Sequence, residues 1–392
     1  MREVPVAAEI RPDVAARAAL APFLLTRIPI LAVGYLAVRI VGISPPPVEP
    51  ATWRVSPNEL LNLPARWDAF WYYTIATSGY HWNGDIHQQQ SIVFFPLYPL
   101  LMRIGGAATA HQPLVAGVAV SLIAFYFALA YVYRLARLDL DREQAQTAMI
   151  LLATYPFAVF FGAPYTESLF LLEAAAAFYY LQRDEPWKAG VAGLCAGLTR
   201  PNGCMLALPL AWLALAGRRG SLVEAVHRPH QISFARVVAA SMPVVGMVVY
   251  SAYLSAHVGH AFAWIADQVA WGLDLVPAGD SAAKNGPALT TPYASAAVLI
   301  GNIGAFALAA FAVVPLTRRL GVPYGLLVVV SLVPPFLAHS FTSAGRFTSV
   351  LFPLFVWLAH RVPASRRRRW IGAFLAGQAV TAALFYTWRP LV

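Results

Sequence analysis

The chain has 392 residues, 59% hydrophobic and 12% charged, with a formal net charge of +10. Soluble domains are about half apolar and about a quarter charged, so lipid rather than water is the expected solvent, and no polar stretch is long enough for a separate soluble domain. The positive charge is almost all arginine, with lysine only at Lys188 and Lys284, and it falls in short loops between apolar runs. That placement sets membrane orientation and argues against a nucleic-acid partner.

In chain order, eleven apolar segments are expected to span the bilayer as helices. They run over about 20–42, 113–134, 146–163, 167–182, 188–200, 202–217, 234–254, 294–315, 322–340, 347–361 and 370–388. The fold class is therefore an all-α polytopic bundle of about ten or eleven transmembrane helices. Glu3, Glu9 and Asp13 interrupt any basic leader, so the first run reads as a retained helix. Breaks at Pro156, Pro201, Pro334 and Pro335 require neighbouring protein or a wet cavity to satisfy the freed backbone groups.

With the N-terminus inside, nineteen basic residues, including Arg366 to Arg369, fall on inner connections and seven on outer ones. The bias predicts a cytoplasmic N-terminus and an outer face carrying two long loops. The first, 43–112, opens on Pro45-Pro46-Pro47 and is rich in tryptophan and tyrosine; its piece Ile92 to Ile104 is too short to span and reads as re-entrant or interfacial. The second, 255–293, places Trp264 and Trp271 on one face of an expected interfacial helix.

Four polar features fall on this outer side. Arg66-Trp67-Asp68-Ala69-Phe70-Trp71-Tyr72 would set Asp68, Trp71 and Tyr72 on one helical face, an acid beside rings that can stack on a sugar. An aromatic belt, with Asp68 as a helix cap or as partner to Arg66, explains the same residues. Tyr165-Thr166-Glu167 forms a polar turn whose acid also suits a helix N-terminus. Glu173, deeper in the same span, needs a cavity or a partner, and this feature leaves a transporter or lipid flippase open. Arg200 in Thr199-Arg200-Pro201-Asn202-Gly203, and Arg346 beside His339, put cations where phosphate is a natural partner; headgroup snorkelling is the alternative. Cys195 and Cys204 flank a tight connection and allow a disulfide without requiring one. His257 and His260 are a weak metal pair; no metal or other cofactor is expected, though a divalent ion is not excluded.

These blocks carry a resemblance. Arg66-Trp67-Asp68-Ala69 with Gly79-Tyr80, Phe94-Phe95-Pro96-Leu97-Tyr98-Pro99-Leu100, Phe160 through Phe170, and Gly197 through Gly203 follow one another as in bacterial members of the PIG-V family of mannosyltransferases; Gly345-Arg346 fits more loosely. Eukaryotic members tend to have His-Trp-Asp where this chain has Arg66-Trp67-Asp68, and Ser-Asn-Gly where it has Pro201-Asn202-Gly203. The resemblance implies a GT-C-like glycosyltransferase occupying 1–392 as one transmembrane domain in the inner membrane. It also implies a polyprenyl-phosphate mannose donor, a lipid or glycan hydroxyl acceptor, and inversion at the anomeric carbon. Another sugar, or protein hydroxyls as acceptor, remain alternatives. Asp68 matches the family's base in the first outer loop. Arg200 and Arg346 are the candidates for the donor phosphate, and Trp67, Trp71, Tyr72, Tyr165, Glu167 and Asn202 the candidates for sugar contacts.

Overall fold

The computed structural model describes residues 10–44, 54–56, 58–223, 233–271, 292–337, 341, 343–389 and 391. The proline run 45–47, Lys284 and His339 lie outside them. Among the described residues every regular element is a helix, and the described part of each of the eleven apolar segments is mainly helical.

Among the described residues four helices are long and apolar enough to cross a membrane: Pro12–Val41, Pro113–Ala136, Phe234–Val258 and Val298–Leu320, the last within Pro292–Leu320. The chain is a multi-pass membrane protein. Other segments are shorter than a full span. Glu167–Gln182, with sixteen residues, reaches only about 24 Å at 1.5 Å per residue. It is buried almost throughout, so protein rather than lipid surrounds it.

The shortening has a local cause at Pro156. The segment expected over 146–163 ends its helix at Thr154 and resumes as a 3-10 turn over Ala158–Gly162. The carbonyls freed by the break would be costly at membrane depth. Arg27, buried in the first helix, donates to Ala158 O at 2.6 Å and Ala153 O at 2.9 Å. Gln378 adds a bond to Ala153 O at 2.8 Å, and Thr381 donates to Pro156 O.

Helices Pro186–Thr199 and Phe234–Val258 approach closely along small residues. A Cβ on Gly246 would lie 2.5 Å from Leu194 O. Such contacts replace the hydrophobic drive that lipid removes.

The two ends of the bundle differ. At one, Asp139 takes Arg218 and Arg219 while Arg319 donates to its carbonyl, Glu143 pairs with Arg367 at 3.2 Å, and Asp184 with Arg236 at 3.0 Å. At the other lie the polar turns singled out from sequence. There the first long loop carries a short helix over Ala69–Ser78 and another over Leu97–Ala108, the second overlapping the piece Ile92 to Ile104 expected to be re-entrant or interfacial. Tyr98 anchors that second helix: it is fully buried, and its hydroxyl bonds Gly117 O at 2.8 Å and Ser121 Oγ at 2.7 Å.

In the second loop, Trp264 packs edge-on against Phe95, with ring centres 5.1 Å apart, and Trp271 against Phe94 and Trp71 at 5.2 and 5.7 Å. Where one interfacial helix was expected, its described part forms two helical pieces, Ala263–Ala266 and Asp267–Trp271, which turn these tryptophans onto the first loop.

Candidate active site

The four polar features converge. Arg346 donates from Nη1 to Asp68 Oδ2 and from Nε to Glu167 Oε1, each at 2.5 Å. Arg200 Nη1 lies 3.5 Å from the same Glu167 oxygen. Two acids and two arginines thus form one chain of charge, Asp68–Arg346–Glu167–Arg200, in which every link is an opposite-charge contact.

Local structure places each member. Asp68 precedes the helix Ala69–Ser78 but makes no side-chain cap bond, and Arg66 pairs with Glu59 at 2.8 Å instead. Both structural explanations for Asp68 are therefore removed. Its backbone N–H donates to the Tyr165 hydroxyl at 3.1 Å, and that hydroxyl donates to Arg66 O at 3.3 Å. Glu167 opens its helix after the turn at Pro164, fully buried. Arg200 follows the helix Pro186–Thr199 in extended conformation, and Gly203 N–H closes the turn on Arg200 O at 2.8 Å. A Cβ on Gly203 would sit 1.9 Å from Ala196 O, so only glycine fits there. Arg346 is fixed through its neighbour. Gly345 N–H donates to Asn302 Oδ1 at 2.7 Å, and a Cβ on Gly345 would meet the Phe157 ring at 2.4 Å.

A cavity of about 390 Å³ opens beside this chain of charge, within the usual size of ligand pockets. Asp68, Tyr72, Thr166, Thr199, Arg200, Asn202, Gln268 and Arg346 supply its polar wall, and Phe94, Trp264, Trp271, Met205 and Val333 much of its apolar one. Of the residues proposed from sequence, Asp68, Tyr72, Arg200, Asn202 and Arg346 line it.

The others are placed elsewhere. Trp67 takes a left-handed backbone conformation, φ 52°, and its ring rests 5.3 Å from that of Trp388. Trp71 stacks on Phe94, 5.9 Å between ring centres. Tyr165 lies under the Arg346 guanidinium, 4.8 Å from its ring centre, and Glu167 bonds arginine rather than facing the cavity. These four are not among its lining residues. Thr166, Thr199 and Gln268 are additions. The two threonines stand inside quoted motifs; Gln268 carried no sequence signal. Glu173 is held by Thr199, whose hydroxyl donates to it at 2.9 Å. Cys195 and Cys204 are both free thiols.

Among the described residues no group of three or more His, Cys, Asp or Glu side chains is placed to hold a metal ion. His257 stacks on Tyr253, and His260 lies tilted against Trp82.

Beside the cavity one buried acid is shifted from its ordinary value. Asp267, just before Gln268, is raised from 3.8 to about 6, chiefly by burial, and Gln90 holds its Oδ1 at 3.4 Å. A folded acid raised above its unfolded value binds the extra proton, so its contribution to stability is present at low pH and declines between about pH 4 and 6. Asp267→Asn is expected to flatten that slope and raise the melting temperature at pH 7, read by thermal unfolding across pH. An unchanged slope would show that Asp267 does not couple to folding.

The model of a family described as mannosyltransferase (PIG-V) matches residues 43–258, more than half of the chain. The chain belongs to the PIG-V mannosyltransferase family. Asp68, Glu167 and Arg200 lie inside the matched span, and Arg346 beyond it. The chain is also similar to GPI mannosyltransferase 2 of Drosophila pseudoobscura pseudoobscura, 25% identical over 163 residues, covering 38% of this chain and 35% of that protein. Among solved structures it is similar to the oligosaccharyltransferase of Archaeoglobus fulgidus in its apo form, at 15% identity and a TM-score of 0.42, over 93% of this chain and 56% of that one. The complex of that enzyme with an inhibitory peptide and a dolichol-phosphate matches at 14% identity and a TM-score of 0.41, over 92% and 55%. The PIG-V-family chain described here thus spans about half the length of those structures, and its match covers about a third of the curated relative.

Proposed function

We propose that this chain is a GT-C-type glycosyltransferase that moves a mannosyl residue from a polyprenyl-phosphate donor to a lipid or glycan hydroxyl, with inversion at the anomeric carbon. The observation that carries this reading is a carboxylate and two guanidiniums on the wall of one cavity, in a member of a mannosyltransferase family.

The chemistry needs little else. Polyprenyl phosphate is a good leaving group, so the reaction calls for a base at the attacking hydroxyl and positive charge beside the departing phosphate. Asp68 is the base. The acceptor oxygen attacks the anomeric carbon, its proton passes to Asp68, and the bond to phosphate oxygen breaks through an oxocarbenium-like transition state. The positive charge on the cavity wall comes from the guanidiniums of Arg200 and Arg346. Tyr72, Asn202 and Gln268 offer hydroxyl and amide groups to the sugar, and the aromatic wall offers ring faces. The experiment is the anomeric configuration of the product by NMR. Inversion is expected, and retention would contradict a single displacement.

The site lies on the outer face and the N-terminus on the cytoplasmic one. The arginine-rich end of the bundle supports this orientation. Single cysteines at the exposed positions 89 and 366 test it. An impermeant thiol reagent added to intact cells is expected to label position 89 and spare 366. The reverse pattern would invert the orientation.

A further inference from the structure

The two arginines of the site are not equivalent. Arg346 commits two nitrogens to two carboxylates at 2.5 Å, and its guanidinium lies over the Tyr165 and Phe160 rings at 4.8 and 5.6 Å. Its backbone is pinned by the Gly345–Asn302 bond. To reach a phosphate by moving away, it would have to give up short charge-assisted bonds, the strongest kind a protein makes. Arg200 is held differently. It sits between the Phe170 and Phe347 rings, 5.3 Å from each, and is 5% exposed. Its ion-pair contact with Glu167 is 3.5 Å long, and its Nη1 is buried without a hydrogen-bond partner. A buried donor left unmade is costly, and Arg200 is one of the residues that line the cavity.

We infer a division of labour, resting on the proposed function: Arg200 takes the donor's phosphate, while Arg346 is a positioning residue that holds Asp68 toward the acceptor hydroxyl. A phosphodiester brings one negative charge and two free oxygens, which matches the unfilled donor on Arg200. Arg346 already carries two acids, so its charge is spent on orienting the base. Glu167, shared between the two arginines, sets their spacing.

The test is equilibrium binding of polyprenyl monophosphate to purified full-length variants, beside steady-state kinetics. Arg200→Gln is expected to weaken binding about tenfold or more, the worth of a charge-assisted bond. Arg346→Gln is expected to keep binding within about threefold and to lower kcat with little change in donor KM. In an Asp68→Asn background, Arg346→Gln should add little further loss, because it acts through the missing carboxylate, whereas Arg200→Gln should add its full effect. Arg346→Lys, which keeps the cation if the glutamine variant folds poorly, is expected to keep binding as well. Binding lost equally in both arginine variants, or full additivity of Arg346→Gln with Asp68→Asn, would overturn the division and leave the proposed function standing. Failure of the proposed function shows separately, as normal transfer by Asp68→Asn alone.

Discussion

Asp68→Asn is expected to lower sugar transfer by about 10²–10⁴-fold, the usual worth of a positioned general base, in a protein that still folds and still binds donor. The asparagine keeps the shape and can still meet Arg346, but it cannot accept the hydroxyl proton. Arg346 retains Glu167 in this variant, so no cation is stranded and little stability is lost. Alternatives of a purely structural kind predict the opposite balance. A helix cap or a surface ion pair would cost about 1 kcal/mol or less and spare turnover. The geometry already disfavours both, since Asp68 makes no cap bond and Arg66 is occupied with Glu59. Near-normal turnover by well-folded Asp68→Asn protein would remove Asp68 as the base while leaving the family assignment intact.

Glu167→Leu is expected to be the most destabilising single change at the site. Glu167 is fully buried and is the shared acid of two arginines, themselves largely buried. Removing it leaves Arg200 without its ion-pair partner and Arg346 with Asp68 alone. Breaking a buried pair in this way costs about 3–5 kcal/mol, because the remaining charge stays out of water. That is a large share of the roughly 5–15 kcal/mol that stabilises a typical fold. Glu167→Gln keeps the shape and one acceptor and should cost less. Thermal unfolding in detergent, followed by size-exclusion chromatography, reads the difference. A Glu167→Leu protein that melts with the wild type would show that the arginines find other partners.

Much of the fold was legible because lipid simplifies the rules. Apolar runs must be largely helical to satisfy their own backbone, and the described parts of all eleven mainly are. Polar turns among such runs have few places to go, which is why Asp68, Glu167, Arg200 and Arg346 could be grouped before their contacts were known. Partnerships were not legible. Arg346 finds Asp68 across 278 residues, and no local pattern encodes that distance. Nor did composition reveal which way a ring would turn. Trp67 and Trp71 belong to the same motif as Asp68, yet a left-handed turn sends one to Trp388, and Phe94 takes the other. Arg27 was hidden for a related reason: within an apolar run it looks like a flaw, and only the broken helix at Pro156 shows what it satisfies. Ile92 to Ile104 was legible only as re-entrant or interfacial, because the helix Leu97–Ala108 is anchored by Tyr98 through contacts with another helix that no local pattern encodes.

The most direct measurement is label transfer by the purified protein in liposomes, supplied with polyprenyl-phosphomannose labelled in the sugar and with lipid, glycan and peptide acceptors in parallel. The expected result is label in a new glycosidic linkage on one acceptor class, with polyprenyl monophosphate released in equal amount. Movement of intact labelled donor across the bilayer without any new linkage would contradict the account and make the chain a lipid transporter.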